Sequence, residues 1–298
     1  MIEPQLKRIA VNAYRVMFGQ RPGLCNLQET FYGWVVFLAS PGGKRAVVKF
    51  SREIGRLGKE VRALERLREV LNCSVPEVLF FGREEGHDYI MLEWLDGEPA
   101  YKIPDDPVAR EQFRESYTDI LLSLHDHQSL KGFEIGDDEF VPDFIPAYES
   151  WMSPVLRYVQ SSCSPFSSKL KDAYAGLWEN RGEILSPLNQ IASLVHDDCH
   201  VGNVLFDPKT FKVAAIVDPC DVGFKHYELD LFHLYDVRPD LQLVERYQEK
   251  QALAEGFEWR RWFFSLWDDA KHSRNMGWYD EHWLVSKVAL FEASYAGR

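Results

Sequence analysis

Cysteine is scarce in this chain, and the little there is excludes a disulfide framework. Cys25, Cys73, Cys163, Cys199 and Cys220 are scattered, odd in number and never in C-x-x-C spacing, which fits reduced thiols in a cytosol. No apolar run approaches the roughly 18 residues that a bilayer-spanning helix needs. The N-terminus also lacks a signal-peptide pattern, so a cytoplasmic location with no membrane partner is expected. Basic runs are missing too. Asp and Glu number 46 against 34 Lys and Arg, and a net charge of -12 argues against a nucleic-acid partner whose phosphates would need neutralising. The same acidity suits attraction of a cationic amine substrate or ordinary solubility. Repeats and low-complexity linkers are absent. With 46% hydrophobic residues, the 298-residue chain can bury a sizeable core as one two-lobed unit or two close domains.

What is present is concentrated between Val195 and Pro219. His196-Asp197-Asp198 is followed five residues later by Asn203 and, after two short apolar runs, by Asp218. Val204-Leu205-Phe206 and Val213 to Val217 are rich in β-formers and joined by Asp207-Pro208-Lys209-Thr210, so they read as a hairpin that brings Asn203 and Asp218 to one end. An acid, an amide and a second acid suit phosphoryl transfer. A polyphosphate must be neutralised and a weakly nucleophilic hydroxyl oriented. Magnesium favours oxygen ligands and keeps some water, so Asn203 and Asp218 are candidate ligands, with Asp198 left to orient the hydroxyl.

At these residues the chain resembles the aminoglycoside phosphotransferase superfamily, including its fructosamine-kinase branch. The family's catalytic loop reads H-G-D-x-x-x-x-N. Asp197 stands here at the glycine's place, either simply occupying it or perturbing Asp198 by like-charge repulsion. The resemblance implies an α+β, protein-kinase-like two-lobed fold, with residues 1–95 as a β-rich nucleotide lobe and 96–298 as a mostly helical lobe carrying the catalytic loop and acceptor pocket. It makes Asp198 the catalytic base, Asn203 and Asp218 the metal ligands, and ATP with Mg2+ the cofactors. In Gly223 to Leu231, Asp230 fits the acid that opens a helix and braces the loop. Leu124-His125 closes an amphipathic helix as the family's Leu-His pair does.

Lys49 ends the strand-like run Arg45 to Phe50 and resembles the family's A-x-x-K lysine, placed to hold phosphates. The segment from Ser51 to Leu71 has Val61, Leu64, Leu67 and Leu71 at helical spacing, with Glu60 one residue before that stripe as the lysine's partner and Glu65 as the fallback. Tyr89 to Glu98 resembles the family's hinge, where Glu93 and Leu95 are the expected backbone contacts to adenine. A glycine-rich phosphate turn is missing. Between the first two strands, Asn26 to Phe37 holds only Gly33 among bulky neighbours, while Gly42 and Gly43 belong to the next hairpin. That shortage motivates an alternative to an active small-molecule kinase: a catalytically weak or inactive pseudokinase that binds nucleotide or a protein partner.

The remaining order is coarse. Leu6, Ile9, Ala10, Ala13 and Met17 predict a first helix, Val75 to Phe81 a strand, and Pro104 to His127 a helix with Phe113, Tyr117, Ile120, Leu121 and Leu124 inward. By analogy Gly132 to Leu188 is a helical insertion shaping the acceptor pocket. Phe257 to His272 predicts another helix, whose Trp259, Trp262, Phe263 and Trp267 pack a core. His196 reads as a buried structural histidine and His200 as a loop brace. Asp268 and Asp269 read as a solvated helix end, or as contacts for a substrate amine. The expected reaction is transfer of the ATP γ-phosphate to a hydroxyl of a small molecule of amine-bearing sugar, aminoglycoside or ketosamine type.

Overall fold

Leu6, Ile9, Ala10, Ala13 and Tyr14 recur at helical spacing, and Ile2–Phe18 (α1) buries that face. Met17, expected on the stripe, is 39% exposed, and Tyr14 takes the inner place, its hydroxyl donating to Lys44 O at 2.7 Å. The computed structural model describes residues 2–53 and 55–297. Their contacts gather into two compact units, one running to Ile120 and joined by Gly202–Asp221, the other made of Leu121–Val201 and the chain from Val222 onward.

In the first unit, Leu24–Glu29 (β1), Gly33–Ala39 (β2) and Arg45–Ser51 (β3) precede the helix Arg56–Val70 (α2), and Val78–Glu84 (β4) and His87–Glu93 (β5) follow it. They form an antiparallel sheet in the order β1-β2-β3-β5-β4. Ala46, Val48 and Phe50 of β3 join the core under α1, so alternation turns Val47 and Lys49 to the opposite face. β4 starts at Val78 rather than Val75, since Pro76 has no N–H to give a ladder. Two glycines are required by close approach. A Cβ on Gly33 would sit 1.8 Å from Phe50 O, and one on Gly97, at φ +141°, would meet Leu205 Cβ at 3.0 Å and Phe206 O at 3.1 Å.

Glu98–Pro99 (β6) and Pro107–His125 (α3) come next, with Phe113, Tyr117, Leu121 and Leu124 buried and Ile120 half-buried. The chain continues through Phe133–Gly136 (β7), Glu139–Val141 (β8), Phe144–Gln160 (α4), Ser168–Glu179 (α5), Arg181–Leu185 (α6) and Ser193–Val195 (β9). Val204–Phe206 (β10), Val213–Ile216 (β11), Gly223–Lys225 (β12) and the short Glu228–Leu231 (α7) lead to Leu243–Lys250 (α8), Phe257–Met276 (α9) and Glu281–Tyr295 (α10). The region expected to be a helical insertion does carry α4, α5 and α6 but opens with the β7–β8 hairpin, because Asp138 at φ +59° closes a turn between two alternating strands. Its aromatics Phe133, Phe144 and Tyr148 bury with Phe263, Phe264 and Trp267 of α9 as the core of the second unit. Asp268 and Asp269 are no solvated helix end. They lie inside α9, where Asp268 pairs with Lys271 at 2.9 Å and Asp269 with Lys287 at 2.6 Å.

The protein is thus α+β, with a β-rich N-terminal region and a mostly helical C-terminal part. Among the described residues no helix is long and apolar enough to cross a membrane.

Candidate active site

In the first unit, strand alternation aims Lys49 at α2, and α2 buries one stripe made of Leu57, Glu60, Ala63, Leu64 and Leu67. Glu60 therefore lies within the apolar stripe rather than one residue ahead of it, and the fallback Glu65 is exposed. A carboxylate in such a stripe needs a partner. Lys49 Nζ donates to Glu60 Oε1 and, at 2.8 Å, to Asp218 Oδ1. Burial works against the ammonium, yet the carboxylates of Asp218 and Glu60 outweigh it and hold its pKa above the ordinary lysine value.

Asp218 reaches this place through the hairpin. Val204 pairs with Ile216, and Val217 N donates to Asn203 O at 2.9 Å, so Asn203 and Asp218 stand at the same open end. At the closed end Phe211, at φ +60°, donates to Asp207 O at 2.7 Å. Asn203 is buried, whereas Asp218 is left-handed at φ +55° with a side chain 52% exposed. The turn between β1 and β2 is Thr30, Phe31 and Tyr32. Arg52 donates to Thr30 O at 3.0 Å and Phe31 O at 2.9 Å, and the Arg56 guanidinium lies 3.5 Å over the Tyr32 ring. Side chains from beyond β3 fasten this turn, and its one nearby glycine is used by the approach to Phe50. Glu93 closes β5 and gives its amide to Glu77 O at 2.8 Å; Leu95 is half-buried outside any strand.

The second unit holds the loop after β9. Asp230, fully buried in α7, accepts from His196 N at 2.9 Å and Asp197 N at 2.8 Å, and its Oδ2 lies 3.1 Å from His125 Nε2. His125 Nδ1 in turn lies 2.8 Å from the Tyr247 hydroxyl. Burial alone would raise the Asp230 pKa, but the hydrogen bond and charge of His125 hold it below the usual carboxylate value. The His196 ring is buried, and Asp198, with a side chain 29% exposed, lies 3.5 Å from His200 Nε2. Asp197 takes a left-handed φ of +61°, and its Oδ2 lies 3.2 Å from Lys225 Nζ and 3.5 Å from Lys271 Nζ.

Matching of the phosphotransferase enzyme family model runs from residue 34 to residue 263, more than half of the chain. The chain belongs to that family. A relative in Escherichia coli strain K12, the uncharacterized protein YcbJ, is 24% identical over 234 residues, covering 74% of this chain and 75% of its own. Among solved structures, a candidate fructosamine-3-kinase from Haemophilus somnus 129PT superposes with a TM-score of 0.71 at 16% identity, over 96% of each chain. A thermostable mutant of aminoglycoside phosphotransferase APH(4)-Ia, solved with ADP and hygromycin B, gives 0.73 at 13% identity, over 97% of this chain and 99% of its own. The fold is therefore that of the kinase-like phosphotransferases.

Of the residues singled out in the sequence, the structure brings together Lys49, Glu60 and Asp218, sets Asn203 at the same hairpin end as Asp218, and joins Asp230 to the His196–Asp197 backbone. Asp198 lies in the other unit from Lys49 and Asp218. Among the described residues no cluster of three or more His, Cys, Asp or Glu is placed to hold a metal. An amide oxygen with one half-exposed carboxylate still fits magnesium, which takes few protein ligands and completes its shell with water and phosphate. Sequence reading missed Lys225 and Lys271 as partners of Asp197, and no local pattern announces a lysine 74 positions away. It also missed the fully buried Arg260–Glu228 pair at 2.7 and 2.8 Å.

Proposed function

We propose that this protein transfers the γ-phosphate of ATP to a hydroxyl of a small molecule, with an amine-bearing sugar, aminoglycoside or ketosamine as the acceptor class. In this reading residues 1–95 serve the nucleotide, and residues 96–298 carry the catalytic loop and the acceptor pocket. The observation that carries it is the position of Lys49, bonded at once to Glu60 and Asp218. Glu60 holds the ammonium steady, so it can contact the α- and β-phosphates once they displace Asp218 from it. Asn203 and Asp218 would hold Mg2+, which when bound neutralises phosphate charge. Asp198 accepts or orients the hydroxyl proton, with its loop fixed by Asp230. In the hinge, Glu93 offers its carbonyl and Leu95 its amide to adenine. The similar structure of APH(4)-Ia was solved with ADP and hygromycin B, which supports nucleotide use and an aminoglycoside-like acceptor. The chain's charge of -12 favours a cationic acceptor by long-range attraction.

A screen of phosphate transfer from Mg·ATP to aminoglycosides, ketosamines, choline-like amines and sugar alcohols tests the proposal. Transfer to one of these classes, lost in Asp198→Ala, supports it. A second reading, a weak or inactive pseudokinase, is favoured by the β1–β2 turn, where Gly33 is committed to packing against Phe50 O and Phe31 and Tyr32 are bulky. Mg·nucleotide binding without hydrolysis or transfer, or no binding at millimolar concentration, decides for that reading.

A further inference from the structure

Asp197 is a non-glycine residue held at φ +61°, a left-handed conformation that glycine adopts freely and that aspartate and asparagine tolerate better than most residues. Here the aspartate side chain is engaged as well. That side chain is 9% exposed, and the same oxygen, Oδ2, faces Lys225 Nζ at 3.2 Å and Lys271 Nζ at 3.5 Å. The backbone of Asp197 is pinned from the other side, its amide donating to Asp230 Oδ1 at 2.8 Å.

Both lysines are themselves held. Lys225 sits in β12 opposite Ser193 of β9, the strand that delivers the loop, and lies 5.4 Å from the Trp151 ring. Lys271 pairs with Asp268 at 2.9 Å one turn earlier on α9. A strand and a helix of the second unit therefore grip one carboxylate, and the next residue along the chain is Asp198.

We propose that Asp197 is a positioning residue: the grip of Lys225 and Lys271 on its carboxylate fixes the left-handed bend from which Asp198 projects. The proposal rests on the reading of Asp198 as the group that orients the acceptor hydroxyl. Asp197→Asn keeps a residue that tolerates the bend and removes the charge, and Asp197→Gly keeps the bend and removes the side chain. Two measurements apply: amide hydrogen exchange of residues 196–200 in the protein alone, and Mg·ATP hydrolysis with water as acceptor.

In both variants we expect exchange in this loop to speed up about tenfold and kcat to fall about tenfold, with KM for ATP within about twofold and the melting temperature within a few degrees. Lys271→Gln alone should speed exchange, and should add little in the Asp197→Asn background. Wild-type exchange in Asp197→Asn, or additive effects of the two substitutions, overturns the grip. Faster exchange with unchanged kcat overturns the positioning role. Should Asp198→Ala hydrolyse ATP as the wild type does, the functional reading fails, while the exchange data still decide whether the lysines hold the loop.

Discussion

The two clusters are built in opposite ways. Around Lys49, side chains hold side chains, and one partner, Asp218, is half in solvent. Around Asp230, a fully buried carboxylate holds backbone amides. Ion pairs near solvent break at little cost, whereas a buried carboxylate that loses its donors pays the full loss of hydration. The first cluster is thus built to exchange partners and the second to stay fixed. This division suits a phosphate-handling group on one hand and a loop that must keep its direction on the other.

The largest test of that contrast is chemical. Asp218→Ala should lower turnover about a thousandfold or more while the melting temperature moves only a few degrees, because an exposed partner is lost rather than a buried one. Near-normal turnover breaks the comparison at its first member. Next comes burial. Arg260→Met strands the Glu228 carboxylate, fully buried and doubly bonded, and should cost about 3–5 kcal/mol in urea unfolding, most of it recovered when Glu228 is also replaced by Leu. Asp230→Ala leaves the His196 and Asp197 amides without their acceptor and should cost about 3 kcal/mol, far more than Asp218→Ala in the same assay.

A smaller effect is pH-dependent. Burial opposes protonation of His233, but the Asp236 hydrogen bond and the charges of Asp268 and Asp198 push its pKa up to about 9. Its contribution is fully present below the ordinary value of 6.5 and is lost as pH rises through 9. Burial, with Arg260 and His125 nearby, pushes His226 down to about 3, so the folded state refuses a proton that the unfolded chain takes below pH 6.5. Stability should peak near neutrality and fall on either side by up to about 1.4 kcal/mol per pH unit. His233→Gln should flatten only the alkaline slope. Smallest is Glu60→Gln, which keeps the shape and weakens the hold on Lys49, raising KM for ATP a few-fold with little change in melting temperature.

What could be read from the chain was local. The strand-like run from Arg45 to Phe50 and its resemblance to the family's A-x-x-K strand singled out Lys49, and two β-rich runs around Asp207-Pro208 marked the hairpin that sets Asn203 and Asp218 at one end. Helix register was harder. Glu60 was legible as a partner, yet its place inside the buried stripe depends on which way α2 rolls, which tertiary packing decides. The β7–β8 hairpin hid among aromatics that read equally well as helix. Lys225, Lys271 and Arg260 were illegible, because a pairing across 28, 74 or 32 positions leaves no periodic trace.

The cluster at the end of β3 has a consequence for the order of events. Its one ammonium is already shared between two carboxylates, so an arriving phosphate must compete with Asp218 for it. In the proposed reading a divalent cation that engages Asp218 removes this competitor, so metal-chelated nucleotide should bind ahead of bare nucleotide.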